Sequence, residues 1–186
     1  MRIISGLLKG RPINFLKNSK TRPLKDSVRE NIFNVLKHSN NINVEIKNSN
    51  ILDLYSGTGS FGIECISRGA EKVTFVENDN NAGNILKDNL IKLSIIKKSQ
   101  IHLNKIELFL SKDINEKFHI FFFDPPFADS NFLQNLEIIK KVKIFRKNHL
   151  VVIHREEKSN DKFKDLLKII DIKKYGRSKI FFGVFN

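Results

Sequence analysis

Short apolar runs alternate along most of this chain with more polar segments that begin at Ser, Asn or Asp, residues that favour helix starts. The apolar runs are typical of strands buried in a parallel sheet. They predict strands at Ile51–Leu54, Val73–Glu77, His119–Phe123 and Leu150–Arg155. Helices are predicted to start near Ser60, Asn80, Ser130 and Asp161. This alternation predicts a doubly wound α/β domain.

Both ends of the chain predict smaller elements around this sheet. Residues Arg2–Phe15 predict a hairpin, and Lys17–Thr21 an exposed loop. A capping box at Ser27–Glu30 predicts a helix, whose apolar stripe is more typical of core than of a partner groove. The segments Ile169–Tyr175 and Ser178–Phe185 predict a closing antiparallel hairpin. We therefore expect one domain over residues 1–186, with residues 1–40 as an amino-terminal extension.

Composition limits the classes of protein that remain. The chain has 186 residues, 40% of them hydrophobic, which is enough for one buried core. No apolar run reaches the length that spans a membrane, and the start is too short for a signal peptide. Cys65 has no partner cysteine, as is usual in the reducing cytoplasm, and no metal-ligand spacing is present. We expect a cytoplasmic monomer without a membrane or a metal.

The four residues Asp124-Pro125-Pro126-Phe127 are the most informative segment. They follow the buried strand His119–Phe123, at the sheet edge where open α/β sheets bind ligands. The prolines keep the segment extended and stiff. Asp124 and the Pro125 carbonyl can accept the two hydrogens of an exocyclic amine, and Phe127 can stack on a base. The segment therefore predicts a site for a planar base that carries an amine.

A glycine-rich turn follows the first predicted strand of the sheet. Gly57, Gly59 and Gly62 spell G-x-G-x-x-G, and Glu77 lies 20 residues beyond Gly57, where it could bind ribose hydroxyls. This spacing suits both nicotinamide dinucleotides and S-adenosylmethionine. Asp53 favours the second, because a carboxylate could face its cationic groups and would repel a pyrophosphate.

Basic residues are concentrated near the amino terminus of a chain with a formal charge of +13. Residues 1–50 contain ten Lys and Arg against three acidic residues, and half of the chain's eight arginines. A cationic patch of this kind binds phosphate backbone by counterion release. A solvated lysine-rich surface is the alternative. The predicted RNA contacts are Arg2, Lys9, Arg11, Arg22 and Arg29.

These segments together resemble a known family. Asp53–Gly59 resembles the first motif of Rossmann-like S-adenosylmethionine methyltransferases, and Asp124–Phe127 the fourth motif of those that methylate exocyclic amines. Three further segments narrow the resemblance to the bacterial 16S rRNA guanine-N2 methyltransferases, small-subunit methyltransferase D type. These segments are Arg2–Gly6 with Lys9–Arg11, Thr21–Pro23 with Asp26–Leu36, and Gly62–Ala70.

The resemblance implies a mostly parallel seven-stranded sheet, S-adenosylmethionine as cofactor, and 16S rRNA or the small-subunit particle as partner. It implies catalysis by Asp124, Pro125, Pro126 and Phe127. The implied cofactor contacts are Asp53, Tyr55, Gly57, Thr58, Gly59, Glu77, Asn78, Asn104 and Lys105. In such enzymes a small acidic or amide residue after the third strand contacts the adenine. Here Lys105 stands at that place, so Asn104 or a main-chain N–H could replace it.

Three other functions remain open from the sequence. An adenine-N6 or protein-amide methyltransferase would use the same Asp-Pro-Pro-Phe edge. A dinucleotide-dependent oxidoreductase matches the glycine spacing and Glu77 but leaves Asp124–Phe127 unexplained. A non-catalytic RNA-binding module needs only the basic amino-terminal region.

Overall fold

A seven-stranded sheet forms the centre of the structure, a computed structural model that describes residues 1–16, 24–163 and 165–186. The strands are β1 (Asn50–Leu54), β2 (Lys72–Glu77), β3 (Ser99–Leu103), β4 (Phe118–Phe123), β5 (Phe145–Glu156), β6 (Leu167–Tyr175) and β7 (Ser178–Phe185). Their order across the sheet is β3-β2-β1-β4-β5-β7-β6. Strands β1 to β5 pair in parallel, and β7 is antiparallel to both β5 and β6. The predicted mostly parallel sheet with a closing hairpin is confirmed.

Helices cover both faces of this sheet. They are α1 (Asp26–His38), α2 (Ser60–Ser67), α3 (Asn80–Lys92), α4 (Ile106–Leu110) and α5 (Phe132–Val142), with a short 3₁₀ turn at Ile96–Lys98. Buried residues of α1, α2 and α3 belong to one hydrophobic cluster, and those of α4 and α5 to a second. The doubly wound arrangement is therefore present.

Strand β4 shows why the centre of the sheet needs a continuous apolar run. Ile120 and Phe122 belong to the first cluster, whereas Phe121 and Phe123 belong to the second. Successive strand residues point to opposite faces, so both faces of β4 are apolar because helices cover both. Phe122 also stacks on Phe61 of α2, with ring centroids 3.9 Å apart.

The amino-terminal segment packs against α2. The two arms of its predicted hairpin pair around an antiparallel bridge between Arg2 and Pro12, with backbone hydrogen bonds that join residues 1–3 to residues 10–13. The Leu7 N–H in the turn between the arms donates to the Ser67 carbonyl at the carboxyl end of α2. The buried Glu64 carboxylate accepts hydrogen bonds from the N–H groups of Ile4 (2.8 Å) and Ser5 (2.9 Å). The extension therefore shares the core of the domain and depends on it for its shape.

Two helix predictions differ from the structure. The capping box at Ser27–Glu30 is wrong, because α1 begins at Asp26 and the carbonyl of its N-cap residue Lys25 already accepts from the Arg29 N–H at 2.9 Å. The helix predicted near Asp161 is also wrong, since none forms in residues 157–163 or 165–166. There Asp161 bonds to Arg155, and Phe163 is buried in the second cluster. These side-chain contacts outweigh the local helix signal.

Candidate active site

The parallel pairing of β1 with β4 brings the two predicted motifs together. Leu54 is the register partner of Phe123. The glycine loop therefore leaves β1 beside the point where Asp124–Phe127 leaves β4. Strands β2 and β3 follow on the outer side of β1, and β5 follows on the outer side of β4, so the strand order reverses between β1 and β4. Such a topological switch point is the usual ligand site of an open α/β sheet.

The glycine loop has a backbone that only certain residues adopt. Gly57 and Gly59 have φ of 55° and 87°, in the left-handed region. A Cβ on Gly59 would lie 2.4 Å from Leu86 Cδ1, whereas one on Gly57 would meet no heavy atom within 4 Å. Gly59 is therefore required for packing against α3, and Gly57 leaves open space beside the backbone.

The Glu77 carboxylate links the end of β2 to this loop. One oxygen accepts from the Gly57 N–H at 2.7 Å, and the other from the N–H groups of Asn78 (2.9 Å) and Asp79 (2.8 Å). A carboxylate accepts about four hydrogen bonds. Glu77 thus holds the loop and retains roughly one acceptor position for a ligand.

Asp53 is buried beneath the loop, against the first turn of α2. Its side chain is buried, and Oδ2 accepts from the Gly62 N–H at 2.9 Å in the first turn of α2. Burial raises the pKa of this carboxyl well above its usual range, and the negative charges of Asp124 and Glu77 raise it further against the Gly62 hydrogen bond. The expectation that Asp53 faces a cationic ligand is corrected, because Asp53 does not line the cavity described below. It satisfies an otherwise unpaired helix N–H.

Asp124 is held by a residue of the neighbouring strand. Its Oδ1 accepts a hydrogen bond from Nδ1 of His154 at 2.7 Å. His154 Nε2 lies 2.9 Å from Oγ of Ser178, and the imidazole meets the Phe127 ring edge-on at 5.7 Å. His154 therefore contacts both the first and the last residue of the Asp-Pro-Pro-Phe segment.

Arg155, the next residue of β5, fixes the rest of this segment. Its guanidinium donates to the carbonyls of Pro126 and Phe127, both at 3.1 Å, and to Asp161 at 3.0 Å. The side chain also lies over the ring of Phe132, 4.5 Å from its centroid. The planar guanidinium can serve these acceptors at once, which an ammonium group could not do with the same geometry.

One cavity of about 760 Å³ lies between these groups. Its wall includes the glycine loop at Tyr55, Ser56, Gly57 and Thr58, together with Glu77 and Ala82. The opposite wall is formed by Asp124, Pro125, Pro126, Phe127 and His154. Amino-terminal residues and the β6–β7 turn at Tyr175–Ser178 complete its lining. The cavity is large enough for a nucleoside-sized ligand beside a base.

Comparison with known proteins assigns this chain to a family. A sequence model described as "Conserved hypothetical protein 95" matches residues 1–184. The ribosomal RNA small subunit methyltransferase D of Buchnera aphidicola (Acyrthosiphon pisum strain) is 34% identical over 158 residues, 85% of this chain and 79% of that protein. The chain belongs to the small subunit methyltransferase D family.

Solved structures agree with this assignment at the level of fold. The putative methyltransferase yhhF from Escherichia coli superposes with a TM-score of 0.84 at 24% identity, over 100% of this chain and 98% of that one. SMU.776, a putative methyltransferase solved in complex with SAH, has a TM-score of 0.63 at 13% identity, over 84% of this chain and 49% of that one. At these identities the similarity concerns the fold alone. The fold of this methyltransferase D family member is Rossmann-like.

The predicted RNA contacts of this methyltransferase D family member fall into different environments. Arg29 is fully buried, and its guanidinium donates to the Arg2 carbonyl and, at 3.0 Å, to Asp26. The prediction that Arg29 contacts RNA is therefore wrong, because helix α1 presents this residue to the core. Arg2, Lys9 and Arg11 are exposed, and Arg22 lies outside the described residues.

Arg11 is fixed at the carboxyl end of α3. Its Nη2 donates to the Lys92 carbonyl at 3.1 Å, at the last residue of α3. Ala82, near the first residue of α3, lines the cavity. Asn89, one turn before Lys92, donates to the carbonyl of Thr58 in the cavity wall at 3.1 Å, so the basic surface at Arg11 runs along the side of α3 that leads to the cavity.

Four of the predicted cofactor contacts do not line the cavity. Within the described part of the chain, these residues are Gly59, Asn78, Asn104 and Lys105. Lys105 is exposed and precedes α4, whereas Oδ1 of Asn104 is buried and has no hydrogen-bond partner within the part of the chain that is described. Of the two, Asn104 therefore has the acceptor to offer. Tyr55 does line the cavity, and its hydroxyl accepts from Asn135 at 3.1 Å. Burial raises the pKa of this phenol.

Sequence reasoning missed His154 and Arg155, although a signal was present. Phe123 and Ile153 are register partners, so the residues that follow them meet at the same sheet edge. The polar residues His154 and Arg155 follow the apolar run Leu150–Ile153 in the same way that Asp124 follows the apolar run of β4. Lys25 and Arg177, two exposed basic residues of the cavity lining, were also missed.

No helix within the described ranges is long and apolar enough to cross a membrane.

Proposed function

We propose that this protein uses S-adenosylmethionine to methylate the exocyclic N2 amine of a guanine in 16S rRNA. The observation that carries the proposal is one cavity lined both by the glycine loop with Glu77 and by Asp124–Phe127. The first set suits a nucleoside cofactor, and the second suits a base with an amine. The name of the 34% identical relative supports ribosomal RNA of the small subunit as the substrate.

The residues of the loop are compatible with this cofactor, which when bound supplies an electrophilic methyl group on a sulfonium. Gly57 leaves open space where a side chain would stand, so a ligand can approach the backbone. The remaining acceptor position of Glu77 suits a ribose hydroxyl. Glu77 and the glycine loop would also suit the ribose of a dinucleotide, so it is Asp124–Phe127 in the same cavity that favours this cofactor.

Asp124 and Pro125 would hold the amine. Oδ1 of Asp124 is bonded to His154, and within the described residues Oδ2 has no hydrogen bond. Arg155 occupies the carbonyls of Pro126 and Phe127 but not that of Pro125. Two acceptors are thus available for the two amine hydrogens. Holding both hydrogens would favour a more tetrahedral nitrogen with an exposed lone pair, through positioning and fixed electrostatics.

Phe127 would hold the ring of the base. A target nucleotide has to leave its stack to enter a cavity of this kind. Stacking on an aromatic side chain contributes roughly 1–3 kcal/mol per base, which offsets part of that cost. The ring of Phe127 is kept in place by its edge-on contact with His154.

The exposed basic residues of the amino-terminal segment would position the RNA around this cavity. Arg2, Lys9 and Arg11 are exposed and available for phosphate contacts, and Arg11 would contribute them at the carboxyl end of α3. The residues 1–40 would then serve as an RNA-positioning extension of a single domain. We propose that the enzyme acts as a monomer in the cytoplasm.

The test is methyl transfer from labelled S-adenosylmethionine to small-subunit RNA and particles from a strain that lacks the cognate modification. Nucleoside mass spectrometry should find N2-methylguanosine. Label in N6-methyladenosine would replace guanine by adenine as the substrate, and label in protein would point to a side-chain amide. Calorimetric titration should detect S-adenosylmethionine and not NAD. Binding of NAD alone would favour an oxidoreductase and contradict the proposal.

A further inference from the structure

We infer that His154 is a positioning residue for methyl transfer, which fixes the Asp124 carboxylate so that one of its oxygens stays available for the substrate amine. The inference rests on the proposed function of the same cavity. Nothing in the Asp-Pro-Pro-Phe segment itself indicates this residue, since His154 stands 30 positions later in the chain.

The contacts of His154 account for both of its ring nitrogens. Nδ1 lies 2.7 Å from Oδ1 of Asp124, and Nε2 lies 2.9 Å from Oγ of Ser178. The His154 side chain is 9% exposed and that of Asp124 is 23% exposed, and both residues line the cavity. Both nitrogens of the imidazole and Oδ1 of Asp124 therefore have partners within the protein.

The chemistry of these partners assigns the proton. An ionised carboxylate only accepts, so Nδ1 carries the hydrogen that bonds to Asp124. In the neutral imidazole Nε2 is then an acceptor, and the Ser178 hydroxyl donates to it. Ser178 thereby keeps the imidazole in the Nδ1–H form, which is the form that Asp124 needs.

The consequence for Asp124 is a fixed carboxylate plane. With Oδ1 held, the carboxylate cannot rotate freely about its last bond, and Oδ2 is left for the amine. Without His154 the group would be free to turn, and the amine would meet it in several orientations. Misplacement by about 1 Å can reduce a rate by about a hundredfold. A residue that only stabilised the fold would not change the turnover number in this selective way.

The first experiment compares variants of residue 154 in single-turnover methyl transfer. His154→Ala should reduce the rate by about tenfold to a hundredfold with little change in S-adenosylmethionine affinity. His154→Asn should restore much of the rate, because its amide N–H can take the place of Nδ1–H, whereas His154→Gln should not. His149 lies on the same strand, has the same 7% exposure as His154 when the whole residue is counted, and accepts from the Phe185 N–H, so His149→Ala is the matched control. It should lower stability and leave the single-turnover rate unchanged.

A double-mutant cycle tests whether His154 acts through Asp124. The variant with both His154→Ala and Asp124→Ala should be no slower than Asp124→Ala alone. Fully additive losses would overturn the inference, as would a His154→Ala rate within twofold of the parent protein.

Nitrogen-15 spectra of the imidazole provide a test that needs no variant and no RNA. They should show Nδ1 of His154 protonated in the folded protein. An unprotonated Nδ1 would overturn the inference, even if every variant at this position failed to fold. If the parent protein transfers no methyl group to small-subunit RNA, the proposed function fails. The spectrum still decides whether His154 donates to Asp124.

Discussion

The N–H of Gly57 donates to the carboxylate of Glu77 at 2.7 Å, so the glycine loop after β1 is fastened to the end of β2. The same carboxylate lines the cavity. One side chain therefore has two tasks, which are to hold the loop and to offer an acceptor to the ligand.

Glu77→Ala should weaken S-adenosylmethionine binding by roughly tenfold to a hundredfold. The reason is the loss of a hydrogen bond to a charged acceptor, worth about 1.5–3 kcal/mol, together with a loosened loop. Isothermal titration calorimetry measures the effect. Glu71→Ala, which removes an exposed carboxylate just before β2, is the control and should bind as the parent does. Equal affinities in the two variants would exclude Glu77 from the cofactor site.

Asp124→Ala should lose methyl transfer while S-adenosylmethionine affinity changes by no more than a few-fold. Asp124 is assigned to the substrate amine, and Glu77 with the glycine loop to the cofactor. A loss of about a hundredfold or more in the single-turnover rate is expected for a group that positions the reacting atom. Asp113→Ala, an exposed acid of the loop before β4, serves as the control. Near-normal turnover by Asp124→Ala would refute the proposed mechanism.

The double variant Arg2→Gln and Arg11→Gln should bind RNA more weakly and with a smaller salt dependence. Each lost phosphate contact should reduce the slope of log K against log salt by up to about 0.7–0.9. Filter binding over a salt series measures it, and cofactor affinity should not change. The control replaces Arg146 and Lys147, two exposed basic residues at the start of β5, by Gln. A slope equal to that of the parent would assign RNA positioning to other residues.

Arg29→Gln should instead reduce the stability of the protein. Arg29 is fully buried and bonded to the Arg2 carbonyl and Asp26, and burial lowers the pKa of its guanidinium. The loss of charged hydrogen bonds should cost roughly 1.5–3 kcal/mol in urea unfolding. Glu30→Gln, at an exposed position of the same helix, should change stability little. A variant as stable as the parent would contradict the structural role of Arg29.

Asp53→Asn should change how stability depends on pH. The pKa of Asp53 is raised in the fold, so the folded protein holds a proton that the unfolded chain releases near pH 4. Its contribution to stability is complete below that pH and is lost as pH rises toward the folded pKa. Thermal unfolding across this range should therefore show a less negative slope for Asp53→Asn than for the parent. The exposed control Asp113→Asn should give a curve parallel to that of the parent. A parallel curve for Asp53→Asn would show that Asp53 does not contribute to the pH dependence of stability.

The part of the site that local sequence could predict is the part built from contiguous residues. Asp124–Phe127 and the glycine loop could be recognised because the residues that each motif requires lie within a few positions of one another in the sequence. His154 could not be assigned in this way. Its role depends on the register between β4 and β5, which places it beside Asp124 from 30 residues away.

Burial of charged groups was the other limit of prediction from sequence. Arg29 was expected to contact RNA because it belongs to the basic amino-terminal region, and Asp53 was expected to face a cationic ligand because it precedes the glycine loop. Charged side chains can nevertheless be fully buried when they have partners. Both are buried with partners that come from other segments, Arg2 for one and Gly62 for the other. The helix predicted near Asp161 failed because of another side-chain contact, in which Arg155 donates to that carboxylate.

The buried carboxylate of Glu64 has a consequence for the order of events during synthesis. Ile4 and Ser5 donate their N–H groups to it across 60 and 59 positions of sequence. A chain emerges from the ribosome amino terminus first, so these residues leave the exit tunnel long before their acceptor exists. The first part of the protein to be made must therefore wait for helix α2. Shortening the amino terminus would leave Glu64 in the core without two of its donors, and the damage should reach the folding of the whole sheet.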